Sequence, residues 1–272
     1  MKLLVMLLSV SFLLIPSLAF AWGPLTHVYL GSELLALGSL IPAGIHEIIR
    51  RYRKDFIYGN IMADIIVGKK YLPEHKNSHN WDIAFDLFEA AETRQQKSFV
   101  YGYLSHLAAD TVAHNVYTAD KKNFGHTLFE LKADSIIDKK YWIQAREIDR
   151  KVQSRNDVFL ESSLDGYIFS FRTNKRILNS MVFLSVFNRE RVGDFIDRNL
   201  ITSLPQRARI EKLHDQSLDR TLDLFQNWKR SRVIKENPNG ISLRRRLLKK
   251  ELASYLLKSH RKRIFQNIRY NL

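Results

Sequence analysis

Apolar residues recur at three- and four-residue intervals along most of the chain, and this spacing constrains the fold more than any other feature of the sequence. It runs through residues 32–37, 41–53, 57–67, 81–91, 95–117, 125–138, 141–152, 160–186, 206–228 and 243–265. The spacing is that of an amphipathic α-helix, whereas the alternation typical of a β-strand is rare. We therefore predict an all-α fold built as a single multi-helix domain.

Helix-breaking residues divide the chain and set its C-terminal end apart. They stand at Gly68, at Pro73, at residues 123–125 and at residues 237–240. The total length of 272 residues suits one large domain. We predict a main domain over residues 22–236 and a basic helical extension over residues 237–272.

The first 21 residues have the pattern of a signal peptide. Lys2 precedes an apolar stretch over residues 3–20, and the Ala-Phe-Ala sequence of residues 19–21 fits the small-x-small rule for cleavage. The alternative is an uncleaved anchor helix, because about 18 apolar residues nearly span a bilayer. Pro16 and the cleavage site favour removal. We therefore expect an exported chain that begins at Trp22 and is periplasmic, extracellular or peripheral to a membrane.

Histidine and carboxylate residues are concentrated in the first half of the chain. Seven of the nine histidines lie between residues 27 and 126, and cysteine is absent, so any metal site must use nitrogen and oxygen ligands. His106, Asp110 and His114 are four residues apart. Because four residues of an α-helix turn the side-chain direction by only about 40°, these three side chains share one helix face. This is how a helix supplies metal ligands.

A second pair, His126 and Glu130, has the same spacing, whereas His27, Asp64 and His79 stand in separate segments. One such pair alone more often forms a structural hydrogen bond. We assign structural roles to the remaining histidines, which are His46, His75, His214 and His260. Two helical pairs downstream of a mature N-terminal tryptophan are hard to explain by chance, and they favour a metal centre.

The order of these residues resembles that of the zinc-dependent phospholipase C family, which shares its fold with the zinc nucleases specific for single strands. A mature family member begins with Trp and continues with His, Asp, His, a His-x-x-x-Asp helix, another His, and a His-x-x-x-Glu or His-x-x-x-Asp helix. The matching residues here are Trp22, His27, Asp64, His79, His106, Asp110, His114, His126 and Glu130. The resemblance is close over residues 22–134, and it implies a catalytic domain of this all-α type over residues 22–236.

The resemblance also implies three zinc ions per chain. Site 1 would be formed by Asp64, His79, His106 and Asp110. Site 2 would be formed by His114, His126 and Glu130, with Asp134 as a substitute for Glu130. Site 3 would be formed by the amine and carbonyl of Trp22 together with His27 and Asp110. Asp64 would also be the catalytic residue that orients or deprotonates the attacking water.

The Trp22 ligand requires a free, deprotonated α-amine. The ordinary pKa of an α-amine is about 7.7–8.0, so a neighbouring dication removes its proton near neutral pH. While a signal peptide is attached, Trp22 offers only an amide nitrogen, which is a poor ligand. We therefore expect the signal peptide to prevent formation of site 3.

Two substrate classes fit this set of residues. The glutamate at position 130 and the absence of cysteine are typical of the phospholipases. The short interval from Trp22 to His27 is instead typical of the nucleases. We predict a zinc-dependent phosphodiesterase of the phospholipase C type, which releases diacylglycerol and a phosphorylated head group. The alternatives are a zinc nuclease for single-stranded nucleic acid and a non-catalytic, metal-dependent membrane-binding protein.

The C-terminal end of the chain is strongly basic, with 18 Lys or Arg against 6 Asp or Glu in residues 205–272. Residues 243–263 combine this charge with leucines, as in an amphipathic helix that lies on an anionic membrane surface. The alternatives are a solvated face whose leucines pack on the core, and a nucleic-acid surface with Trp228 or Tyr255 as stacking residues. We expect a monomer that acts on phospholipid.

Overall fold

The computed structural model describes residues 22–66, 73, 76–117, 130, 132–164, 169–187, 207–240 and 249. Its helices are α1 (Pro24–Ala36), α2 (Ala43–Arg51), α3 (Arg53–Met62), α4 (Trp81–Ala90), α5 (Arg94–Val112), α6 (Lys139–Arg146), α7 (Arg150–Ser163), α8 (Phe171–Phe187) and α9 (Arg207–Asn227). Within these ranges the structure contains no β-strand, so the all-α prediction is confirmed.

Helix α5 is the central helix of the fold. It packs against α1, α2, α3, α4, α7 and α9, and every residue from Ser98 to Val112 is buried. It begins with a capping box, in which the Thr93 hydroxyl accepts from the Gln96 N–H and the Gln96 side chain accepts from the Thr93 N–H. A helix buried on all sides forces its polar residues to find partners inside the protein.

Two glycines allow α3 and α5 to approach closely. A Cβ atom at Gly59 would lie 1.9 Å from the Phe99 carbonyl oxygen, and one at Gly102 would lie 2.0 Å from the Phe56 carbonyl oxygen. No side chain fits at either position at this helix separation. The contact fixes the C-terminal end of α3, and the residues just after it, relative to the second half of α5.

Several helix boundaries differ from the predicted ones because side-chain caps interrupt the apolar pattern. The helix predicted over residues 141–152 is broken: α6 ends at Arg146 and α7 begins after Asp149, whose carboxylate accepts from the Val152 N–H at 2.9 Å. The helix predicted over residues 160–186 is also broken, because the Ser170 hydroxyl accepts from the Thr173 N–H at the start of α8. Polar caps of this kind compete with helix continuation.

Helix α5 ends differently from the prediction of a helix over residues 95–117. Its regular winding stops at Val112, and Ala113–Tyr117 form one π-helical turn. Helix α1 begins eight residues before the predicted start at residue 32. Of the helix predicted over residues 125–138, only residues 130 and 132–138 are described, and residues 132–135 are helical.

The chain divides into two compact units, Met1–Asn239 and Gly240–Leu272. In the second unit the structure describes Gly240 and Lys249, so the predicted basic amphipathic helix lies outside the described residues. Among the helices that the structure describes, none has the length and apolar character needed to cross a bilayer.

Candidate metal centre

Six of the predicted ligands come together in the interior, where α1, α3, α4 and α5 meet. They are Trp22, His27, Asp64, His79, His106 and Asp110. Among the described residues, their histidines and carboxylates form two groups that could each hold a metal ion. The groups are His27, His106 and Asp110, and Asp64, His79 and His106. Within each group the ligand atoms lie within 4.8 Å of one another, and His106 belongs to both.

The first close arrangement surrounds the Nε2 atoms of His79 and His106, which are 3.0 Å apart. His79 Nε2 lies 2.9 Å from Asp110 Oδ2 and 3.3 Å from Asp64 Oδ1. His106 Nε2 lies 3.3 Å from Asp110 Oδ2 and 3.8 Å from Asp64 Oδ1. These are the four residues that the family resemblance assigned to site 1.

The backbone of α3 fixes the tautomer of His106. Its Nδ1 lies 2.8 Å from the Asn60 carbonyl oxygen, and a carbonyl oxygen can only accept, so Nδ1 must carry the hydrogen. The neutral ring then presents a lone pair on Nε2 towards His79 and Asp110. A cation or a shared proton must lie among such converging acceptors for the arrangement to be favourable. The hydrogen bond from His106 Nδ1 to the Asn60 carbonyl oxygen also resembles the bond that orients the ring of a metal-bound histidine from outside the metal site.

A second arrangement surrounds the other oxygen of Asp110. His27 Nε2 lies 3.2 Å from Asp110 Oδ1, and the backbone nitrogen of Trp22 lies 3.4 Å from the same oxygen. The His27 ring stacks on the His106 ring at 3.6 Å between centroids. Although His27 is buried, its Nδ1 has no hydrogen-bond partner among the described residues, and its Nε2 has only the 3.2 Å approach to Asp110 Oδ1. A buried imidazole with so few partners indicates a ligand, and the donors present fit a zinc ion.

Burial sets the protonation of these groups in favour of metal binding. Burial, followed by the neighbouring His106, lowers the pKa of His27. Burial alone would raise the pKa of Asp110, but His106 and His27 together hold it well below the ordinary value. Burial therefore favours the neutral form of His27, and the ionised form of Asp110 is favoured by its histidine neighbours; these are the forms that bind zinc.

Trp22 is anchored by its side chain, which is fully buried. The indole Nε1 donates to the Ala109 carbonyl oxygen and to Ser217 Oγ, each at 3.1 Å. Its ring packs edge-on against His214 at 5.0 Å between centroids. Burial lowers the pKa of His214 to about 4. Ser217 and His214 both lie on α9, so this helix helps to hold Trp22 in place. No sequence motif indicated that role.

The remaining predicted ligands are not part of these two groups. His114 lies half-buried on the π-helical turn, and Glu130 is buried. His126 lies outside the described residues, so site 2 stays a prediction. Asp134, suggested as a substitute for Glu130, instead accepts hydrogen bonds from the N-terminal turn of α1, namely from Leu25 and Thr26.

Two residues that contact the centre were missed by sequence reasoning. Asn60 supplies the carbonyl that orients His106, and Asn239 donates to the His79 carbonyl oxygen at 3.5 Å. Asn60 acts through its backbone, which carries no sequence signal. Asn239 reaches His79 across 160 positions of the chain, so only the fold could reveal the contact.

Comparison with known proteins agrees with this geometry. A family model described as zinc dependent phospholipase C matches residues 26–174, more than half of the 272 residues. The matched range contains His27, Asp64, His79, His106 and Asp110. The chain matches no curated protein and no solved structure. The extent of the family match shows that this chain belongs to the zinc-dependent phospholipase C family.

Proposed function

We propose that the mature chain is an exported phosphodiesterase that hydrolyses phospholipid to diacylglycerol and a phosphorylated head group. The observation that carries the proposal is the convergence of three histidines and two carboxylates in a buried cluster of a chain from this family. Export is supported by the signal-peptide pattern of residues 1–21.

The proposal includes three zinc ions. Asp64, His79, His106 and Asp110 would hold one, Trp22, His27 and Asp110 would hold another, and His114, His126 and Glu130 would hold the last. When bound, zinc supplies Lewis-acid stabilisation of phosphoryl oxygens and lowers the pKa of water. A protein that begins at Trp22 should hold one more zinc ion than a protein with one additional N-terminal residue, because only a free amine binds well.

Asp64 has the role of positioning the attacking water and accepting its proton. It lies directly after α3 and is buried, and its Oδ1 is 3.3 Å from His79 Nε2. In the reaction, the water oxygen bonds to phosphorus, the bond from phosphorus to the glycerol oxygen breaks, and that oxygen takes up a proton. A site shielded from bulk water strengthens the charge interactions of Asp64 and Asp110 with the reacting groups.

The proposed partners are phospholipid and an anionic membrane surface. The excess of positive charge in residues 205–272 supports attraction to anionic head groups. The proposed location is the periplasm or the extracellular space, with peripheral membrane contact, and the proposed state is a monomer.

The test uses the protein that begins at Trp22, with zinc measured by inductively coupled plasma mass spectrometry. Vesicles of phosphatidylcholine, vesicles of other phospholipids and single-stranded DNA are offered in parallel. We expect about three zinc ions and release of diacylglycerol. Asp64→Asn should lower kcat by about 100-fold or more, whereas Asp82→Asn, which changes an exposed aspartate on α4, should leave it unchanged.

The other outcomes are equally specific. Release of nucleotides without diacylglycerol would replace the phospholipase by the nuclease alternative. Binding to anionic vesicles without any turnover, by a protein with its full zinc content, would favour the non-catalytic alternative. A wild-type protein that holds no zinc would contradict all three.

A further inference from the structure

The N-terminal turn of α1 is capped by a residue from a distant part of the chain. Gly23 precedes α1 and provides no side-chain cap. Asp134 Oδ1 instead accepts from the Thr26 N–H at 2.9 Å and from the Thr26 hydroxyl at 2.7 Å, and its Oδ2 accepts from the Leu25 N–H at 3.3 Å. These backbone N–H groups have no partner within their own helix, and the helix dipole favours a negative charge beside them.

The absence of a side chain at position 23 makes this contact sterically possible. A Cβ atom at Gly23 would lie 2.2 Å from Asp134 Oδ2, so any other residue there would displace the carboxylate. Asp134 itself is buried. The carboxylate therefore lies tightly against the backbone that joins Trp22 to α1.

A buried distant carboxylate is a costly way to cap a helix. Helices α6 and α7 are capped by Asp138 and Asp149, which are exposed residues at the helix starts themselves. Burying a charged carboxylate costs free energy that an exposed cap does not incur. What the buried contact adds is a fixed position of α1 relative to residues 132–135.

The position of α1 determines two contacts of the metal centre. Only Gly23 separates Trp22 from the first helical residue, and His27 lies one turn into the helix. The Trp22 nitrogen and His27 Nε2 both approach the same oxygen, Asp110 Oδ1, at 3.4 and 3.2 Å. A shift of α1 would lengthen both contacts together.

We propose that Asp134 is a positioning residue that holds the start of α1, and through it Trp22 and His27, against Asp110. The inference rests on the proposed function in one respect, because it takes site 3 to bind zinc. Asp134 acts through Thr26 and Leu25 and is not itself a ligand of that site.

The experiment compares variants of the protein that begins at Trp22, each saturated with zinc and then dialysed. Asp134→Asn removes the negative charge and places a donor against the Leu25 N–H. Thr26→Val removes one donor and leaves the carboxylate intact, so it separates positioning from direct ligation. Both should lose about one zinc ion per chain, or bind it about 10-fold more weakly, while the other ions remain. Thr26→Ser, which keeps the hydroxyl, should restore full zinc content.

Asp138→Ala is the control for an ordinary cap, because it removes an exposed helix cap that does not contact the centre. It should lower the denaturation midpoint without any loss of zinc. Asp134→Asn and Thr26→Val proteins with full zinc content and wild-type zinc affinity would overturn the inference and reduce Asp134 to an ordinary cap. Should Asp134→Asn fail to fold, Thr26→Val decides the matter alone. A wild-type protein without zinc is a different result, since it contradicts the proposed function as well.

Discussion

Substituting alanine for Gly102 should push α3 and α5 apart and loosen the metal centre between them. A Cβ atom at position 102 would lie 2.0 Å from the Phe56 carbonyl oxygen and 3.0 Å from the Asn60 nitrogen. Ordinary contact begins near 3.4 Å, so the helices must separate by about 1.4 Å. The obstructing atoms belong to the backbone and cannot rotate away.

The size of the effect follows from two opposing contributions. Overpacking of a close-packed interior costs about 1–3 kcal/mol, and the better helix propensity of alanine returns about 1 kcal/mol. Because the obstructing atoms are backbone, we take the upper part of the overpacking range, about 2–3 kcal/mol, which leaves a net loss of about 1–2 kcal/mol in the free energy of unfolding. Because α3 carries Asn60 and leads to Asp64 while α5 carries His106, the same displacement should weaken zinc binding.

The assay is equilibrium denaturation at saturating zinc, together with zinc content after dialysis. Gly44→Ala is the matched control, because Gly44 is exposed on α2 and nothing lies within 4 Å of a Cβ atom there. That variant should be neutral or more stable by up to about 1 kcal/mol. A Gly102→Ala protein with wild-type stability and zinc content would refute the account of the helix contact.

Three further predictions concern charged groups. Removing zinc with a chelator should lower Tm, because Asp64 and Asp110 lose their cation, and added zinc should restore it. At a zinc concentration 1,000-fold above Kd, calorimetry should show that zinc adds about 4 kcal/mol to the free energy of unfolding. Burial raises the pKa of Asp134 to about 6 from an ordinary 3.8, so the folded chain holds a proton that the unfolded chain releases. The contribution of Asp134 to the free energy of unfolding should be complete below about pH 4 and fall by about 3 kcal/mol as pH rises through 6. Denaturation at several pH values, with zinc chelated, should show this decline for the wild type and not for Asp134→Asn. Arg220 donates to Glu236, and Arg220→Met should cost about 1 kcal/mol in urea denaturation without lowering zinc content.

The sequence alone determined the fold class and the local geometry of the ligands on α5. Apolar spacing is a property of each segment, and a helix of known pitch places His106 and Asp110 on one face wherever it packs. Their spacing therefore predicted a contact that the structure shows, with His106 Nε2 3.3 Å from Asp110 Oδ2. Apolar spacing was a poorer guide where Asp149 and Ser170 cap the start of a new helix, because a cap outweighs the apolar pattern locally.

Tertiary structure alone decided which separate segments meet and which groups hold them. The approach of α3 to α5 depends on Gly59 and Gly102, and the same residues would be compatible with many other helix pairs. Asn60 orients His106 through a backbone oxygen that every residue type possesses. Asp134, which sequence reasoning offered as a ligand, caps α1 across 108 residues of chain. The physical reason is the distance along the chain over which each interaction acts. Helix pitch relates residues a few positions apart, whereas the ligands of a buried centre converge only when distant segments pack together.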